Sequence, residues 1–74
     1  MMKQTIEITT ETITLGQFLK LVQAIDTGGM AKWFLQTKEV YVNGDRENRR
    51  GRKLKHGDVV DIRDFGTFMV KGLE

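Results

Sequence analysis

Two short β-forming runs, each joined to a turn signal, constrain this chain more than any other feature. Val40-Tyr41-Val42 runs into Asn43-Gly44, and Gly57-Asp58 leads into Val59-Val60-Asp61-Ile62. Asn-Gly suits a tight turn because both residues tolerate positive φ. The segment between the two runs is unusual in charge. Residues 46–55 carry Arg46, Arg49, Arg50, Arg52, Lys53 and Lys55 against Glu47 alone, a net +5 in a chain whose total is only +2. A nearly neutral protein has concentrated its positive charge in one place, which is what a polyanion-binding surface requires.

The rest of the chain predicts a small α+β domain, one unit over residues 1–74. Thr5-Ile6-Glu7-Ile8-Thr9 alternates in polarity and reads as a strand, and Thr10-Glu11-Thr12 as a connector. Thr14 and Gln17 have the spacing of a capping box. Behind them Leu15, Phe18, Leu19, Val22 and Ile25 share a helical face. After Asp26-Thr27-Gly28-Gly29 a second helix is expected from about Met30 to Gln36, with Met30, Ala31, Phe34 and Leu35 inward. Residues 45–55 read as a polar loop or irregular ribbon, and Thr67-Phe68-Met69-Val70 as a last strand. Two helices packed on a small, mainly antiparallel sheet is the economical arrangement. The last strand is expected to be exposed, where it could pair with another copy; the sequence does not fix an oligomeric state.

These residues resemble the S4 RNA-binding domain, or αL motif, and in particular the small stand-alone YaaA-like S4 proteins of bacteria. The likeness runs from about 13 to 62. It is carried by Val40-x-Val42-Asn43-Gly44, by Leu54-Lys55-x-Gly57-Asp58-Val59-Val60, and by Leu15-x-x-Phe18-Leu19 on the first helix. Where the family often has Ser-Arg-x-x-Ala at its second helix, this chain has Thr27-Gly28-Gly29-Met30-Ala31. Lys38 stands where the family usually has a glycine. The resemblance implies a non-catalytic domain that binds structured RNA, with ribosomal RNA or a ribosome-associated particle as the favoured partner.

The candidate RNA-binding residues are Gly28, Gly29, Lys32, Arg46, Arg49, Arg50, Arg52, Lys53 and Lys55. Arginines pair bidentately with phosphate oxygens, and lysines act as mobile point charges. Gly51 keeps the basic loop pliable. The Gly28-Gly29 pair has two readings: a tight interhelical turn, or accessible amides at an anion-attracting helix end with Lys32 one turn inside. Such contacts position a folded RNA by shape without reading its sequence. Trp33 is assigned to core packing in preference to base stacking, Tyr41 to a half-exposed position, and Phe18, Phe34, Phe65 and Phe68 to the core or its edge.

The same residues exclude much else. There is no cysteine, which removes disulfides and thiolate metal sites and fits a reducing cytosol. His56 is the single histidine, and the acids Asp58, Asp61 and Asp64 do not follow a calcium-loop order. No nucleophile motif or glycine-rich phosphate loop is present, so no cofactor and no enzyme is expected. No apolar run is long enough to span a membrane, and the segment from Met1 to Thr5 lacks a signal core, so the expectation is a cytoplasmic protein. The principal rival is a protein-interaction adaptor whose basic loop meets an acidic partner and whose apolar tail, 65–73, contributes. An accessory that presents RNA to a modifying enzyme is a second. Double-stranded DNA ranks lower, because the second helix offers only Lys32 and Lys38 as cations.

Overall fold

Thr14 closes the capping box as the sequence predicts. Its Oγ1 accepts from Gln17 N–H at 3.2 Å, and Gln17 Oε1 accepts from Thr14 N–H at 3.1 Å. In the computed structural model, which describes residues 3–73, the helix that follows is α1 (Leu15–Leu21). Met1, Met2 and Glu74 lie outside the described residues. The helix is shorter than its apolar spacing predicts, because Gln23 turns left-handed at φ 64°. Gln23 N–H donates to Lys20 C=O at 3.0 Å and Ala24 N–H to Leu19 C=O at 2.9 Å, the bond pair of a Schellman ending. Ile25 is still buried, carried inward by the chain after that turn.

A 3-10 turn at Gly28–Met30 opens the second helical segment, which continues as α2 (Ala31–Thr37). Ala31, Phe34 and Leu35 are buried as predicted, but Met30 is 38% exposed. Trp33 is not in the core either: it is 59% exposed. Ala31, Phe34 and Leu35 already supply the inward stripe at i, i+3 and i+4, and about 100° per residue puts Trp33 on the opposite side.

The strands are β1 (Lys3–Glu7), β2 (Thr12–Thr14), β3 (Val40–Val42), β4 (Asp45–Arg46), β5 (Lys53–Lys55), β6 (Val59–Ile62) and β7 (Gly66–Lys71). Five of them form one sheet in the order β1-β7-β6-β3-β4, antiparallel except for the β1–β7 pair. β2 and β5 make a separate antiparallel ribbon. The architecture is the α+β arrangement expected, with three differences. The connector contains part of β2, the polar loop contains β4 and β5, and the last strand is not an edge. β7 lies between β1 and β6, so the sheet edges are β1 and β4.

Alternation sets which faces are buried. Val40, Val42, Val60, Ile62, Phe68 and Val70 point from the sheet to Leu15, Phe18, Leu19, Ala31, Phe34 and Leu35 of the helices, and Leu54 of β5 joins the same core. Phe18 meets Phe68 edge to face with ring centres 6.1 Å apart. Phe65 sits at the core's edge, 47% exposed with its ring 5.9 Å from that of Phe68.

The two turn signals of the sequence meet in space. Asn43 (φ 53°) and Gly44 (φ 89°) form the turn between β3 and β4. Asn43 Nδ2 donates to Asp58 Oδ1 at 3.1 Å, and Asn43 Oδ1 accepts from Val59 N–H at 2.9 Å. Asp58 is buried and also accepts from Lys55 N–H at 2.9 Å. Burial acts to raise the Asp58 pKa, and the hydrogen bonds from Lys55 and Asn43 outweigh it, so the carboxyl sits below its ordinary range. This junction pins both ends of the cationic segment.

Candidate nucleic-acid interface

The cationic segment is organised by its one acid. Glu47 follows β4, where its N–H donates to Val40 C=O at 2.9 Å, and it is only 5% exposed. Its carboxylate accepts from Arg49 Nε at 3.0 Å, Arg49 Nη2 at 3.1 Å and Arg52 Nη1 at 2.8 Å, with the N–H groups of Asn48 and Arg49 completing the set. The Arg49 bond is the main reason its pKa falls, to about 2; burial opposes the shift, and the Arg52 bond adds to it. Arg49 is correspondingly held above the ordinary arginine value by Glu47. Two of the six cations are thus already matched by a buried anion.

The other four divide in the same way. Lys55 Nζ lies 3.5 Å from Asp58 Oδ1, and Arg46 Nη2 reaches Lys38 C=O at 3.5 Å, a marginal contact. Arg50 and Lys53 have no charged partner among the described residues. Lys53 and Lys55 flank buried Leu54 on β5 and share its outward face, with Lys53 directly opposite Thr14 in the ribbon.

Arg50 is held where the helices begin. Its C=O accepts from Gly16 N–H at 2.9 Å, and Arg52 C=O accepts from Leu15 N–H at 2.7 Å. The first amides of α1 are therefore satisfied by the loop itself. Gly16 packs closely here: a Cβ there would be in van der Waals contact, 3.4 Å from both the Arg50 carbonyl and the Ala31 Cβ. The result is a shallow groove of about 400 Å³ lined by Thr14, Gln17, Lys20, Gly28, Arg50 and Gly51, with Gly16 and Ala31 at its floor. No acid lines it.

The structure therefore brings Gly28 and Arg50 together, although they are 22 residues apart in sequence. Lys53 pairs with Thr14, one of the lining residues, without itself lining the groove. Gly29 and Lys32 are exposed on the adjoining 3-10 turn and first turn of α2. Arg46 lies on β4, and Lys55, bound to Asp58, follows Lys53 on the same face of β5; neither lines the groove. Neither Gly28 nor Gly51 has φ in the left-handed region, and an added Cβ at either would meet nothing within 4 Å. The tight-turn reading of Gly28 thus has no backbone requirement behind it. A helix-end reading is also reduced, since only a 3-10 turn and a seven-residue helix stand there.

Lys20 lines the groove although it is not among the candidates read from the sequence. Its signal was present: Gly16, Gln17 and Lys20 fall on one side of α1 at i, i+1 and i+4, next to the cap. Tyr41 is half-buried as expected. Its OH donates to Glu39 Oε1 at 2.7 Å, and Arg63 donates to the other Glu39 oxygen, so Glu39 is held below the carboxylate range first by Tyr41 and then by Arg63. His56 Nδ1 accepts from Gly72 N–H at 3.3 Å. Among the described residues no group of three or more His, Cys, Asp or Glu could hold a metal ion, and no helix is long and apolar enough to cross a membrane.

The S4 domain family profile matches residues 6–71. The probable ribosome maturation protein RlbA of Bacillus subtilis is 62% identical to this chain over 69 residues. That alignment covers 93% of the chain and 97% of RlbA, so the relative carries this domain and almost nothing else.

Proposed function

The chain belongs to the S4 domain family, and from that premise we propose that it is a non-catalytic module that docks on structured RNA. The observation that carries the reading is the acid-free groove in which Lys20, Gly28 and Arg50 converge beside Lys53. The relative's name places that protein in ribosome maturation, and ribosomal RNA or a ribosome-assembly particle in the cytoplasm is the corresponding target here.

Arg50, Lys53 and Lys20 supply the charge that a phosphate ridge would neutralise, with Lys32 extending the surface along α2. Gly28 and Gly51 leave bare backbone where phosphates can approach closely, and Gly29 does the same at the next position. Arg49 and Arg52 keep part of each guanidinium outward, and their Glu47 bonds fix where those donors point, so they recognise shape more than they add free charge. Arg46 and Lys55 act at the periphery. Binding of this kind selects the ridges and wide minor groove of folded RNA.

The test is a titration of the protein against a folded ribosomal RNA fragment and a DNA duplex of equal length at several salt concentrations. The expected result is preference for the RNA, with a log–log salt slope of about −0.7 to −0.9 for each phosphate neutralised. Indifference to RNA at all salts overturns the proposal and leaves an acidic protein partner as the object of the basic surface.

A further inference from the structure

Trp33 is the single tryptophan of the chain, and it is also the most exposed of the large apolar side chains among the described residues, at 59%. Nothing inside the fold uses its ring. The core stripe of α2 is complete without it, and among the described residues its indole has no hydrogen bond or ring contact, while its backbone carbonyl accepts from Thr37 Oγ1 at 3.0 Å. Lys32 precedes it on α2, and the positions one turn away, Gly29, Met30, Gln36 and Thr37, carry no acid, although Asp26 and Glu39 bound the segment. Met30, three residues back and 38% exposed, adds a flexible apolar flank.

The geometry relates this ring to the groove. Ala31 lies at the groove floor. At about 100° per residue, Lys32 projects next around α2 and Trp33 after it. A strand leaving the groove over Lys32 follows about half the circumference of α2 to reach the indole, roughly 16 Å. A planar, exposed aromatic next to a lysine matches a molecule that has both phosphates and flat apolar faces.

We infer that Trp33 is a stacking platform for an unpaired nucleobase. The inference rests on the RNA reading above and deepens it: the preferred RNA has an unstacked nucleotide, in a loop, bulge or end, a few nucleotides from the phosphates held in the groove. Stacking on an aromatic ring tolerates any base, since every base has a π-face. It adds affinity without a phosphate contact, and so without changing the salt slope.

The experiment uses the intrinsic fluorescence of Trp33 in the full chain, with binding followed separately by the anisotropy of end-labelled RNA. The probes are an RNA hairpin with an unpaired loop, a blunt RNA duplex of equal phosphate number, and polyphosphate. The hairpin is expected to bind and quench Trp33, while polyphosphate binds without quenching. Trp33→Ala is expected to lose about tenfold in hairpin affinity and little in duplex affinity, with the salt slope unchanged and Trp33→Phe retaining most of the binding. Hairpin binding with no quenching, or equal loss for hairpin and duplex, overturns the stacking role and leaves the RNA reading standing. Absence of RNA binding overturns both. Quenching that depends on protein concentration alone assigns the ring to a second copy and also overturns the proposal.

Discussion

The two halves of the cationic segment behave differently although their sequences look alike. Arg49 and Arg52 converge on buried Glu47, whereas Arg50 and Lys53 face outward with no anion near them among the described residues. The positive count of the segment is one quantity and its available charge is another. A single buried carboxylate converts part of the charge into local structure, while Arg50 lines the groove with Lys20 and Lys53 stands opposite the lining residue Thr14 in the ribbon. Neighbouring arginines in a basic run can therefore have opposite jobs.

The structural half should break first. Glu47→Ala removes the buried acceptor shared by the Arg49 and Arg52 guanidiniums and the N–H groups of Asn48 and Arg49, and is expected to cost about 3 kcal/mol of stability, read as a shift in the urea midpoint. Arg50→Ala should leave that midpoint within about 0.5 kcal/mol of the parent, since exposed side chains without partners contribute little. Equal losses in the two variants would erase the distinction between the halves.

Asn43→Ala tests the junction that holds both ends of the segment. It removes a partner of buried Asp58 and puts Ala at φ 53°, and about 2 kcal/mol of destabilisation is expected. An unchanged midpoint would mean that the segment is anchored elsewhere.

Acid titration sharpens the same contrast. The Glu47 carboxyl lies near 2 in the folded protein against an ordinary 4.5, so the folded state binds fewer protons there. Its stabilising contribution is complete above about pH 4.5 and is lost as pH falls toward 2. Unfolding free energy followed over that range should decline in the parent more than in Glu47→Gln, which has no proton to gain at that site. Parallel profiles would contradict the assignment.

The outward half responds in the opposite sense. The Gly28→Ala/Gly51→Ala pair should keep or raise stability, by about 0.5 kcal/mol per site, because no side chain is crowded and the unfolded chain loses freedom. RNA affinity should nevertheless fall several-fold, as methyl groups block close approach of a phosphate. The smallest effect belongs outside the loop. Gln23→Gly relieves a left-handed residue at the end of α1 and should add about 0.5 kcal/mol with no change in RNA affinity.

Features encoded within a few residues were legible in the sequence. The capping box of Thr14 and Gln17, the Asn43-Gly44 turn and the limits of β6 depend on neighbours in the chain, and each was found where its residues indicated. Features that need a distant partner were not. β2 is three residues long and exists because Ile13 pairs with Leu54 across the ribbon, so no period announced it. Glu47 is flanked by polar residues, and its burial follows from the hairpin that carries its backbone to Val40. Trp33 was assigned to the core by residue type, and the stripe formed by Ala31, Phe34 and Leu35 overrode that. At the candidate interface, the sequence shows the basic residues as a list. Their division into matched and unmatched charge, and the addition of Lys20, required the fold.

The most direct test of this division compares two variants that remove the same charge. One carries Lys20→Gln, Arg50→Gln and Lys53→Gln; the other carries Arg46→Gln, Arg49→Gln and Lys55→Gln. Each is titrated against the same folded ribosomal RNA fragment at several salt concentrations, after its urea midpoint confirms that it is folded. The groove set is expected to lose about 100-fold in affinity and two to three units of salt slope, at roughly 0.9 per phosphate contact, and the other set less than about tenfold. Equal losses, or a greater loss in the second set, would contradict the account.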